Sequence, residues 1–186
     1  AQRHLGPGRK LRHAIRNNAA RILESSPMPE LAEALYQELL KEMDDLGQEG
    51  EAMALTSRHN YGEFLRDTGQ FDRSAKVFQK LLMILTEYRG TSSYNTLDVR
   101  NELALVTLLG GDRQRAWDMW GALLVDIRRF LEPGSQLELD VLGTLISDAL
   151  ETQDVPAAVE HLDRLLEIHR REGELGMSQE LAKMRN

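Results

Sequence analysis

Two stretches decide the reading: LRDTGQFDRSAKVFQKLL at residues 65–82 and TLLGGDRQRAWDMWGALL at residues 107–124. Each holds a glycine, a small residue five positions on, an aromatic four later, then a leucine pair. Gly69 matches Gly111, Ser74 matches Ala116, Phe78 matches Trp120, and Leu81-Leu82 matches Leu123-Leu124, always at an offset of 42. A fixed period of this size is the mark of a repeat array. Moving forward by the same step reaches Ala158, Leu162 and Leu165-Leu166; moving back reaches Ala32, Tyr36 and Leu39-Leu40. Upstream of each, Arg16, Arg58 and Arg100 align, followed by the column Ala20, Gly62, Ala104 and Ile146. Four blocks fit without insertion: 11–52, 53–94, 95–136 and 137–178. The chain 1–186 therefore reads as a single array, with 179–186 as a capping or truncated helix.

Each block reads as two helices. The first has apolar residues at helical spacing, as in Tyr61, Phe64 and Leu65. It stops at Pro27-Met28-Pro29, Gly69, Gly110-Gly111 or the polar Thr152-Gln153-Asp154. The second is longer and amphipathic, and ends in turn residues at 47–50, 90–93, 133–134 and 173–176. The column Ala32, Ser74, Ala116, Ala158 is small because two helices crossing closely leave no room there. Asp72, Asp112 and Asp154, just after the breakers, suit helix N-termini by capping and by the dipole.

Composition removes whole classes of function. There is no Cys, so disulfides, thiolate metal ligands and Cys nucleophiles are excluded. The net charge of −7 argues against non-specific nucleic-acid binding. No apolar run reaches the ~18 residues of a membrane span, and the N-terminal stretch lacks a signal-peptide core, which together predict a cytoplasmic protein with no membrane partner. No phosphate loop, no HExxH and no GxSxG occurs, so neither an enzyme nor a cofactor is expected. His161 and His169 lie two helical turns apart, too far to share a metal. The acid pair Asp44-Asp45 reads as solvated charge.

The glycine, the small residue and the following aromatic resemble the tetratricopeptide repeat. The 42-residue length is similar to that of kinesin light chains and of the arrays in bacterial NB-ARC-type signalling ATPases, whose opening run Thr96, Leu97, Arg100, Leu103 and Ala104 match. The resemblance implies an all-α fold: an α-solenoid of tetratricopeptide-like helical hairpins wound as a right-handed superhelix. It also implies a non-enzymatic protein- or peptide-binding scaffold working through its concave face. The alternative is a regulatory sensor segment of a larger signalling ATPase or transcription regulator. Leu5, Pro7, Gly8 and Leu11 match Leu131, Pro133, Gly134 and Leu137 three periods on, so the first residues look like the tail of a preceding repeat and favour that alternative.

In such arrays the first helix of each repeat faces inward. Counting from the small residue places four inner columns: Asn17, His59, Asn101 and Gly143; Asn18, Asn60, Glu102 and Thr144; Arg21, Glu63, Leu105 and Ser147; Glu24, Arg66, Leu108 and Leu150. Asparagine both donates and accepts, so it can hold an extended peptide backbone without reading its sequence. The partner-binding candidates are thus Asn17, Asn18, His59, Asn60, Glu63, Arg66, Asn101, Leu105 and Leu108. Leu105 and Leu108 are apolar residues left over once Leu103, Ala104 and Val106 are assigned to the core. Trp117 is left over in the same way on a second helix. The Arg column adjoins the repeat interface, where acidic neighbours compete with any ligand for it. Repeats one to four carry net charges of −5, +2, −1 and −7, so the acidic ends would steer a basic partner. Self-association stands as the other way to occupy the array's surface.

Overall fold

The computed structural model describes residues 7–184. Among them are eight helices and no strand: α1 Pro7–Glu24, α2 Pro29–Asp45, α3 Ala52–Asp67, α4 Phe71–Arg89, α5 Tyr94–Leu109, α6 Arg113–Phe130, α7 Gln136–Glu151 and α8 Val155–Met184. The two-helix reading of every block holds. The fold is an all-α solenoid of helical hairpins.

The helices group into two compact units, one running to Ala116 and one from Trp117 onward, with α6 straddling the division. In the first unit α1 packs on α2, α2 on α3, α3 on α4 and α4 on α5, and α1 also touches α3. Tyr36, Tyr61, Phe64 and Leu65 form its core beside Ala20 and Ala32. In the small-residue column Ala32, Ser74 and Ala116 have no exposed surface, and Ala158 has 2%. Ser74 shows why size matters. Its hydroxyl donates to the Gly62 carbonyl at 2.7 Å, tying α4 directly to the backbone of α3.

Arg58 is buried on α3 and donates to Asp44 on α2 at 2.6 Å, while Lys80 from α4 reaches the other oxygen of the same carboxylate. Asp44 is therefore an anchor between repeats rather than the solvated acid expected. Burial opposes its ionisation, but Lys80 and Arg58 outweigh that and hold its pKa below the usual carboxylate range. Arg16 of α1, in contrast, pairs within its own repeat with Glu42 of α2, and both side chains are only partly buried.

In the second unit α7 packs on α8. Glu138 of α7 is fully buried, and accepts from the Gly134 amide at 3.0 Å and from Arg164 of α8 at 2.9 Å. Trp117 donates its indole N–H to Asp148 at 2.6 Å, and its ring centroid lies 5.7 Å from that of His161. The surplus tryptophan is thus spent on packing.

Three of the four breakers share one conformation, the exception being Pro27-Met28-Pro29, where Met28 has φ −130°. Gly69 and Gly111 have φ of +76° and +95°, and Gln153, in the same column, is held at +59° without being glycine. Asp112 and Asp154 cap α6 and α8, accepting from the amides of Arg115 and Ala157. Asp72 lies inside the first turn of α4, whose N-cap is Gln70, so it serves the dipole alone.

Two expectations fail. α8 runs through Gly173 and Gly176, where a turn was expected, to Met184. Isolated glycines cost a helix only ~1 kcal/mol each, and no proline follows them, so the strong helix formers around them win. Pro7 and Gly8 open α1 rather than forming the turn made by Pro133-Gly134, because proline is well placed in a first helical turn. Leu5, the remaining part of that match, lies outside the described residues.

Candidate functional site

The first helices of the first unit, α1, α3 and α5, carry the inner columns, and their side chains join across the helices. Asn60 donates its amide to the Asn17 carbonyl oxygen at 3.3 Å, and both residues are buried. Two of the four asparagines therefore tie α1 to α3. Asn18, one position round the helix, is exposed; Asn101 on α5 is half-buried.

Between α3 and α5 the bridges are ionic. His59 Nδ1 lies 3.4 Å from Glu63 on its own helix, and Nε2 lies 3.4 Å from Asp98 on α5. Burial would lower the pKa of His59, but the carboxylates of Asp98 and Glu63 on either side push it up to about 10. At neutral pH the ring is an imidazolium. The same pairing holds Glu63 below the usual carboxylate range. One turn further on, Arg66 bridges to Glu102 on α5 and to Asp67 at its own helix end. Burial raises the pKa of Glu102 despite that arginine.

Beside this ladder lies a cavity of about 310 Å³. The N-terminal parts of α3 and α5 supply its walls through Thr56, His59, Asn60, Asn95 and Asp98, with Arg89 at the end of α4. Its floor is Leu81 and Leu85 of α4 with Val99. The space exists because Ala52 and Thr56 are small and because α4, lying behind both helices, presents branched aliphatic side chains and not an aromatic there.

The structure thus brings His59 and Asn60 to one cavity, and places Glu63 and Arg66 in the ion-pair ladder next to it. Asn17 is not a lining residue and touches the site only through Asn60. Asn18, Asn101, Leu105 and Leu108 are not among the cavity's lining residues; the two leucines are half-buried toward the far end of α5. Sequence reasoning missed Asp98, Thr56 and Asn95. The signal was present, since Thr56 and Asp98 share a 42-residue column one helical turn before Asn60 and Glu102, and the inner columns had not been carried that far toward the helix starts. Among the described residues no cluster of three or more His, Asp or Glu could hold a metal ion, and no helix is long and apolar enough to cross a membrane.

No protein-family model matches the sequence, and no curated protein does. Solved structures do. BtubC (BKLC) from P. vanneervenii superposes with a TM-score of 0.73 at 21% identity, over 92% of this chain and 67% of that one. The Podosopora anserina putative kinesin light chain with nearly identical TPR-like repeats superposes with a TM-score of 0.58 at 14% identity, over 92% of each chain. A variant of that protein gives 0.60 at 14% identity, over 97% of this chain and 95% of that one. The fold is that of a tetratricopeptide-type array. The cavity lies between the second and third repeats of the first unit, lined from α3, α4 and α5.

Proposed function

We propose that this tetratricopeptide-type array is a non-enzymatic scaffold that binds an extended segment of a protein partner on its concave wall, across repeats two and three. The observation carrying this reading is the cavity between α3 and α5, with its polar walls and aliphatic floor. One side chain of the partner enters it over Leu81 and Leu85. Asn95 meets the backbone beside that side chain, since an amide both donates and accepts and can hold a main chain without reading sequence. The segment continues past Arg66 toward Asn101, Leu105 and Leu108, whose half-buried side chains extend the contact. Asn60, on the cavity wall, is held by Asn17, and the pair acts by fixing α3 against α1. Acid and base nearly balance along this wall, so the partner segment carries little net charge there. Two or three apolar contacts at ~1.5–3 kcal/mol each, less the cost of ordering a chain, give binding of moderate strength.

The test uses peptides selected from a random library by panning on the wild-type protein, then titrated calorimetrically against two variants. Thr56→Trp fills the cavity from an exposed position. Leu105→Asp puts a charge on the far part of the wall. Both are expected to stay folded by circular dichroism. Thr56→Trp should weaken the selected peptides at least tenfold, about 1.4 kcal/mol, and Leu105→Asp by a smaller factor. If both folded variants bind as the wild type does, the concave wall is not the site. If Leu105→Asp unfolds the protein, Leu105 belongs to the core.

A further inference from the structure

A second groove, of about 450 Å³, lies between α2 and α4, with Arg58 and Tyr61 of α3 also lining it. It shares no residue with the cavity between α3 and α5, and the peptide site proposed above makes no use of it. Leu40, Val77 and the Tyr61 ring give it an apolar part. Its charge has a definite sign. Lys41, Arg58, Lys76 and Lys80 line it against Asp44 and Asp45, a balance of +2 in a chain whose net charge is −7.

Some of these groups are already committed. Asp44 accepts from Arg58 and from Lys80, each at 2.6 Å. The Arg58 side chain is only 3% exposed, and its Nη1 is buried without a hydrogen-bond partner. One carboxylate shared with Lys80 therefore leaves part of a buried cation's charge uncompensated. Gln37 and Tyr61 are bonded to each other and to Glu33. Lys76, one turn before Lys80 on α4, and Lys41 on α2 are exposed and form no ion pair among the described residues. The groove thus holds two uncommitted ammoniums, a third shared with Asp44, and a buried guanidinium beside them.

We infer that this groove binds a phosphate monoester with an apolar substituent. A phosphoryl dianion brings three strong acceptor oxygens, which match three ammoniums better than the single charge and two oxygens of a carboxylate. Lys41 holds it from α2, and Lys76 and Lys80 hold it from α4. Arg58, too buried to touch the ligand, adds its charge at short range. The substituent lies on Leu40 and Val77. The monoester is either a free small molecule or a phosphorylated aromatic side chain of a partner protein, and the chemistry recognised is the same. Asp45, exposed near the end of α2, is the lining acid that no ion pair neutralises among the described residues, and it works against the ligand.

The test is a titration of the nitrogen-15-labelled protein with phenyl phosphate at low ionic strength and about pH 7.5, where the phosphoryl group is mostly a dianion. Amide signals of α2 and α4 around the groove should move and saturate. Benzoate should bind at least about threefold more weakly, and phenol not at all. Lys76→Ala removes an exposed, unpaired side chain, so the protein stays folded, and should weaken phenyl phosphate about fivefold. Asp45→Asn should tighten it about twofold, a gain that misfolding cannot produce. A phosphotyrosine peptide that binds more tightly than phenyl phosphate, while its unphosphorylated form does not bind, makes the source a partner protein; a peptide that binds no better makes it a small monoester. The inference is overturned if phenyl phosphate moves no signal around the groove, if benzoate or phenol matches it, if Lys76→Ala binds as the wild type does, or if Asp45→Asn binds no better.

Discussion

The imidazolium of His59 ties pH to the integrity of the inner wall, and its contribution can be worked from the geometry. The ring faces Glu63 from its own helix and Asp98 from α5, each at 3.4 Å, with the Arg66–Glu102 pair one turn away. Its pKa is about 10 in the folded chain against an ordinary 6.5. A histidine whose pKa rises on folding lends stability that is complete below the unfolded value and is lost as pH climbs through the folded one. The relevant window is therefore about pH 6.5 to 10. A shift of that size corresponds to at most ~5 kcal/mol, at about 1.4 kcal/mol per unit. A quarter of the side chain faces solvent (26%), which screens both pairs, so we expect ~2 kcal/mol. Urea unfolding of the wild type and of His59→Gln, followed by circular dichroism at steps between pH 6.5 and 9.5, isolates this contribution. The wild type should be the more stable at pH 6.5, and the gap should shrink by ~2 kcal/mol by pH 9.5. Tyr36, which burial and Glu24 raise above its usual value, destabilises both proteins alike at higher pH and cancels in the difference. Parallel stability curves would refute the charged ring and, with it, the electrostatic link between α3 and α5.

Gly62→Ala should destabilise the protein by ~1–3 kcal/mol in urea, because an added Cβ would sit 2.7 Å from the fully buried ring of Phe78; a net gain from helix propensity would show that the ring yields freely. Gln153→Gly should stabilise by ~1 kcal/mol, since glycine relieves a left-handed backbone that its column partners Gly69 and Gly111 adopt without strain; an unchanged or lower thermal midpoint would mean the turn is already relaxed.

The period was legible because close helix crossing leaves a size requirement in the residues themselves. Ala32, Ser74 and Ala116 are small for a reason of volume, and the aromatics after them fill what remains. Gln153 shows the limit of pattern reading: the glycine is missing from the column, yet the turn persists, because the backbone geometry is set by the helices on either side. The end of α8 failed in the opposite direction, as two glycines without a following proline proved too weak to stop a helix. The site was legible only in outline. His59 and Asn60 stand on the cavity wall; Asp98 shares a repeat column with Thr56 one helical turn before Asn60 and Glu102, but only the pairing of α5 with α3 shows that this acid faces His59 and not solvent. Asn17 and Asn60 were read as ligands for a peptide backbone. The amide of Asn60 is committed to Asn17 instead, for the same reason that suited the pair to a peptide: each side chain both gives and accepts.

The position of the cavity follows from which residues fill matching columns. The α1–α3 bridge is Asn17 to Asn60, two short side chains that meet only when their helices lie close. The α3–α5 bridges are Arg66 to Glu102 and His59 to Asp98, in which a long or ring-bearing side chain spans the gap. Helices pinned by short amides are drawn together, and helices pinned by a guanidinium reaching a glutamate are held further apart. The second junction also carries Ala52 and Thr56 at the start of α3, so little fills the space so created, and Leu81 and Leu85 of α4 close it from behind. One repeat template thus carries short polar residues at the α1–α3 junction and long charged ones at the α3–α5 junction, where the cavity lies. The ion pairs that hold the gap open also satisfy their own charges, which leaves the amide of Asn95 and the aliphatic floor to meet a guest.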